Sequence, residues 1–161
     1  MGLLHRMEHA GDALAWHGDM PTEGRYTAGI AGQKFFRAIQ EDGQFLATVC
    51  LECDVTYMPP RLYCEQCFAH LDEWVEVDPA GHVHTFTVVH QDLDEQPLPE
   101  PRILAFVTLD DTDGGLVHYL DEVDPDEVYL GMPVEPVLRE KEERRGGIND
   151  IKYFRPVTGA L

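Results

Sequence analysis

Between residues 33 and 42, QKFFRAIQED, the apolar positions Phe35, Phe36 and Ile39 fall at helical spacing and form one stripe. Gly43 provides a natural stop. From Phe45 the period shortens. Phe45 to Val49 reads as a strand, and Trp74 to Val77 as another. His82 to Gln91 is a longer one, with apolar or β-branched residues on both of its faces. DLDEQPLPEP, residues 92–101, is acidic, has three prolines and reads as an exposed, stiff loop. Ile103 to Leu109 is nearly continuous in apolar character, and Asp110 to Gly115 is a turn into its hairpin partner, Leu116 to Leu120. Asp124 caps one helical turn that starts at Pro125. Val134 to Arg139 and Ile148 to Phe154 are the last two strands, with a turn at Gly146-Gly147.

From His82 onward there are five strands, with a short helical element between the third and fourth. That is the order of an OB-fold barrel. Ahead of the helix the chain has no sustained period. Trp16, Met20, Tyr26 and Ile30 give it more apolar content than a free tail has, so it reads as an arm that docks on something. The fold expected is mainly β, in five parts. These are an extended docking arm (1–33), a short helix (34–44), a tetracysteine ribbon (45–72), a five-stranded OB barrel (73–156) and a tail (157–161).

The cysteines decide the character of the ribbon. All four lie in CLECDVTYMPPRLYCEQC, with Cys50 and Cys53 forming one C-x-x-C pair and Cys64 and Cys67 a second, ten residues apart. Each pair can chelate from one tight turn, and four thiolates close a tetrahedron around a divalent ion, most often zinc. Iron, as in rubredoxin, fits the same four sulfurs. Two disulfides are the other option. No secretion signal or membrane span is apparent, so a reducing cytoplasm is expected, which favours metal. Four thiolates leave no open coordination position, so the ion is expected to be structural.

The 161 residues carry a net charge of −18, which opposes an independent nucleic-acid-binding role even though OB barrels with ribbons often serve one. The charge is uneven. Six of the twelve basic residues, Arg139, Lys141, Arg144, Arg145, Lys152 and Arg155, share residues 139–155 with four acids, leaving that segment at +2 and the rest at −20. Such a patch reads either as a solvated hairpin or as a face for an anionic ligand. There is no Gly-rich phosphate loop, no GxSxG elbow and no Glu-x-x-His motif. His82, His84 and His90 are expected on one face of a strand and His118 on another, all as polar residues on the wet side of the barrel.

The ordered set of Phe35-Phe36, the ribbon with its Pro59-Pro60-Arg61, Glu73 to Val77, Thr85 to His90 and Gly131-Met132-Pro133-Val134 resembles the OB-fold/zinc-ribbon family of acyl-CoA-associated proteins. The resemblance covers residues 33 to 156. It implies a non-catalytic partner of a thiolase-like enzyme, a hetero-oligomer that shapes the path of the CoA ester, with no nucleic acid and no membrane involved. One possible home is degradation of aromatic compounds, as in a benzoylsuccinyl-CoA thiolase. Catalytic residues would then belong to the partner. Arg144 and Arg145 are candidates to meet CoA phosphates at a shared site. The family places glycine after the second cysteine of each pair, where the backbone takes a positive φ. Here Asp54 and Phe68 stand there, so either they accept that strain or the turns differ.

Overall fold

The computed structural model describes residues 27–157, so the greater part of the expected docking arm, and most of the expected tail, lie outside the described residues. Helix α1 spans Gly29–Asp42 and starts four residues before the stripe predicts. Ala31, Phe35 and Ile39 are its buried positions, spaced so that they stack on one side. Gly43 at φ 74° ends it, returning its N–H to the Ile39 carbonyl while the Gln44 N–H reaches Ala38 O.

Strand β1 (Phe45–Cys50) is the centre of a three-stranded antiparallel sheet. Its neighbours are β2 (Val55–Tyr57) and β3 (Glu73–Val77). The sequence reading groups the β3 residues with the barrel, but they pair with β1 instead, Phe45 opposite Val77 and Thr48 opposite Trp74. Lys34 of α1 lies 3.8 Å above the Trp74 ring and ties the helix to this edge.

The barrel holds β4 (Gly81–Gln91), β5 (Pro97–Leu109), β6 (Gly115–Leu120), β7 (Pro133–Leu138) and β8 (Ile151–Pro156). It closes in the order β4-β5-β6-β8-β7, with β7 returning to β4 through Gly81–Val134 and His82–Pro133. This is the expected mainly β fold with an OB-type barrel. The helical element after β6 is a single 3-10 turn at Pro125–Glu127, and Asp124 Oδ1 accepts the Asp126 N–H at 3.0 Å as its cap.

Four local expectations change. The stretch 97–101 is strand rather than loop. Its prolines, at alternate positions, withdraw N–H groups from one edge of β5 only. The last strand starts at Ile151, because buried Asp150 gathers the preceding residues into a turn. Its carboxylate accepts the N–H groups of Arg145 (2.8 Å), Gly146 (2.7 Å) and Gly147 (3.3 Å). The alternation along β4 is broken between Val83 and Thr85 and again between Val89 and Gln91, so His82, His84 and His90 share no regular face. His118 is not on the wet side. It is 7% exposed, packed against Phe154, and its Nδ1 accepts the Tyr119 N–H at 2.9 Å while Nε2 faces Ile148 O at 3.4 Å.

Burial lowers the His118 pKa below its ordinary 6.5, since desolvation penalises the cation. The unfolded chain therefore takes up this proton first as pH falls. The stabilising effect of a neutral His118 is complete above pH 6.5 and declines below it, at no more than about 1.4 kcal/mol per pH unit. Thermal unfolding from pH 8 to 5 should show a steeper decline for the wild type than for His118→Leu. Parallel profiles would remove His118 as the source.

One hydrophobic core runs from Phe35, Ile39 and Phe45 through Met58 to Val83, Val107, Val134, Ile151 and Phe154. Helix, ribbon sheet and barrel are thus packed on shared apolar residues. A much smaller second cluster, Cys50, Tyr57, Cys64 and Leu71, lies under the knuckles.

Candidate metal centre

The first knuckle leaves the end of β1 with Cys50 and turns back into β2 after Cys53 and Asp54. The second carries Cys64 and Cys67 and is closed by Cys64 N–H to Ala69 O (2.9 Å), Phe68 N–H to Cys64 O (3.1 Å) and Leu71 N–H to Leu62 O (2.8 Å). Both turns adopt the left-handed conformation, with Asp54 at φ 55° and Phe68 at φ 60°. The non-glycine residues therefore accept the strain, each at a cost of about 1–2 kcal/mol.

The four Sγ atoms lie within 4.8 Å of one another, and Cys50 and Cys67 approach to 3.6 Å. A tetrahedron with metal–sulfur bonds of about 2.3 Å has sulfur–sulfur edges of about 3.8 Å, so the donors fit one ion. Their reach is graded: Cys50 and Cys64 are buried, Cys53 is intermediate and Cys67 is exposed.

Tyr57 is a site residue that the sequence did not reveal. Its buried hydroxyl sits 3.2 Å from Cys64 Sγ and accepts the Glu65 N–H at 3.0 Å. The Gln66 N–H also points at Cys64 Sγ, at 3.4 Å. These donors favour the thiolate, led by Tyr57, and bring the Cys64 pKa down to about 6, while the same contact pushes Tyr57 up to about 12. Cys53 moves the other way, to about 12, chiefly because its thiol is hydrogen-bonded to Cys67. The only hint in the sequence was a tyrosine bound for a buried strand, where its hydroxyl needs a partner. Thr48 serves the same region. Its Oγ1 accepts the Arg61 N–H at 2.9 Å and donates to Arg61 O at 3.1 Å, fixing the segment after the two prolines.

Two family models cover the ribbon and most of the barrel. Residues 39–73 match the ChsH2 rubredoxin-like zinc ribbon domain, and residues 74–139 the ChsH2 C-terminal OB-fold domain. The chain belongs to this ribbon-and-OB family. A DUF35 domain-containing scaffold protein of Methanocaldococcus jannaschii is 29% identical over 128 residues, covering 76% of this chain and 88% of that protein. A scaffold protein of the same description from Methanothermobacter thermautotrophicus is 27% identical over 127 residues, covering 76% and 94%. Among solved structures, a chain of an Ltp2–ChsH2(DUF35) aldolase has a TM-score of 0.60 at 25% identity, with 82% of this chain and 98% of that chain covered. A DUF35-family protein of Sulfolobus solfataricus has the same TM-score at 24% identity, covering 80% and 84%, and supports the fold.

Within the ChsH2-type frame, the basic segment divides sharply. Arg144 is structural: its Nη1 donates to Ile39 O (3.0 Å) and its Nε to Arg139 O (2.8 Å), clasping the end of α1. Arg139 Nε is held by Asn149 O at 2.7 Å, and Arg155 pairs with Glu135 at 2.9 Å. Arg145 is exposed and borders a cavity of about 580 Å³ that also exposes Ile30, Phe36 and Arg37. The structure thus separates the two adjacent arginines that the sequence groups together. No helix among the described residues is long and apolar enough to cross a membrane.

Proposed function

We propose that this chain is a non-catalytic accessory subunit of a thiolase-type acyl-CoA enzyme in the cytoplasm. It would form a hetero-oligomer with the catalytic chain and help to shape the CoA-ester site, with degradation of aromatic compounds as one setting. The observation that carries this reading is the likeness, across ribbon and barrel, to a chain of an Ltp2–ChsH2(DUF35) aldolase. The scaffold description of the two archaeal relatives points the same way. The ribbon's chemistry agrees. Four thiolates around one ion leave no position for substrate, which suits a structural pin. Zinc is the ion proposed. Colourless protein with one zinc per chain supports it; visible thiolate-to-iron absorption overturns it in favour of iron.

Purification of a tagged chain from its native host tests the main reading. A thiolase-like chain is expected in fixed stoichiometry, and a monodisperse monomer overturns it. Arg145 is the residue proposed to meet CoA phosphates, with Arg37 across the same cavity. In the complex, Arg145→Glu should raise the apparent KM for the CoA ester about tenfold with little change in kcat, the effect of losing one charge-assisted contact. Arg144→Glu is a poor probe, since it would unclasp α1. An unchanged KM for Arg145→Glu removes the arginine from the site.

A further inference from the structure

The knuckle end of the ribbon exposes large apolar side chains beside its most rigid feature. Leu51 is 79% exposed and Phe68 78%. They directly follow Cys50 and Cys67, whose sulfurs are 3.6 Å apart, so the two residues stand at neighbouring points of the two knuckles. Tyr63, one residue before Cys64, is also 59% exposed, with its ring edge-on to His70 at 5.2 Å. Folding does not explain Phe68. It packs into neither apolar cluster, and it holds a φ of 60° that glycine would adopt without strain.

The surroundings are acidic. Glu52, Asp54 and Glu65 are exposed on the knuckles, and among the described residues only Glu65 has a basic partner, Arg61. Beside Leu51 lies a depression of about 260 Å³ whose rim carries Glu52, Asp72 and Glu73. Asp72 is already held by His70 at 2.8 Å, which leaves Glu52 and Glu73 facing outward. Four thiolates around a divalent ion would add two further negative charges. An apolar centre in an acidic ring selects its occupant. A second copy would bring the same ring against itself, and nucleic acid or an anionic lipid surface would be repelled.

We infer that the knuckle end of the ribbon seats the catalytic partner, with Leu51 and Phe68 entering an apolar socket rimmed by lysine or arginine side chains. This rests on the accessory-subunit reading and names the surface that reading leaves open. A long basic side chain of the partner would enter the depression between Glu52 and Glu73. Rigidity matters here, because anchors fixed on a metal-pinned turn lose little freedom on binding.

The test uses the catalytic chain that co-purifies with the wild type, titrated against full-length variants. Leu51→Ser with Phe68→Gly removes both anchors while glycine keeps the turn. The dissociation constant should rise about thirtyfold or more, with one metal per chain retained. Glu52→Lys, which touches neither metal nor core, should slow association about fivefold at low salt, and the difference should fade at high salt. If the double variant misfolds and loses metal, Glu52→Lys alone decides. Unchanged binding by metal-loaded variants, or self-association of the wild type through this end, overturns the inference and leaves the accessory role standing. Failure of the wild type to bring down any catalytic chain overturns both.

Discussion

Cys64→Ser should empty the metal site and melt the ribbon while the barrel survives. Cys64 is the most buried of the four sulfurs, 1% exposed, and the one that Tyr57 and the Gln66 N–H address. Structural zinc in small ribbons supplies about 10–16 kcal/mol of apparent binding free energy, and that energy is folding energy. The apolar cluster beneath the knuckles cannot replace it, because two of its four buried members are themselves cysteine ligands. The loss should nevertheless stay local. Phe45, Ala47 and Met58 belong to the main core, so β1 remains anchored when the turns beyond it open. Metal analysis should find less than about a tenth of an ion per chain, by loss of one ligand in four. Hydrogen exchange should rise across residues 50–72 and change little in β5 and β6. Prolonged chelation of the wild type should give the same pattern. A serine variant with full metal content and unaltered exchange would show that the other three sulfurs suffice.

How far the sequence announced this arrangement depends on the range of the forces involved. The ribbon was readable because chelation is encoded by local spacing, two residues within each pair. The order of the barrel's elements along the chain followed from short runs rich in apolar and β-branched residues and from the turns between them. Helix α1 followed from Phe35, Phe36, Ile39 and the Gly43 stop. The late start of the last strand is local, set by Asp150 and the turn before it, but the larger departures come from contacts between distant segments. Nothing near Glu73–Val77 says that it prefers β1 to the barrel, because the choice is made by Phe45, Thr48 and Lys34, which lie 26 to 40 residues before their partners. His118 looked like one polar position in an alternating strand, and only the approach of Phe154 and the Ile148 carbonyl buries it. Arg144 and Arg145 are indistinguishable as adjacent charges. Their roles part because one reaches the carbonyl of Ile39, more than a hundred residues earlier, and the other reaches solvent. Asp54 and Phe68 were a mixed case. The sequence posed the question of positive φ, and the backbone answered it by keeping the left-handed turn with the wrong residue types.

The joint between ribbon and barrel should fail in the opposite way when Gly114→Ala is made. The turn from β5 to β6 lies directly against β2. Asp113 N–H donates to Thr56 O at 2.8 Å, Thr56 N–H returns to the Asp113 carboxylate at 2.8 Å, and Gly115 N–H reaches Met58 O at 2.9 Å. Gly114 sits inside this ladder with the Met58 backbone immediately beside it. A Cβ there would fall within the van der Waals shell of Met58 O and its carbonyl carbon. These are backbone atoms, so no side chain can rotate away to make room. The variant must therefore part the turn from β2, losing about three hydrogen bonds at about 1 kcal/mol each and disturbing buried Met58. A loss of about 3 kcal/mol or more is expected, lowering the Tm by about 10 °C in a chain of this size. Asp113→Ala removes a single side-chain contact and should cost about 1 kcal/mol. The metal is the discriminating readout. Gly114→Ala leaves every sulfur in place and should keep one ion per chain at room temperature, whereas Cys64→Ser loses the ion and keeps the joint. If both variants lost metal together, ribbon and barrel would form one cooperative unit, and the shared core of Phe45, Met58 and Val107 would be the reason.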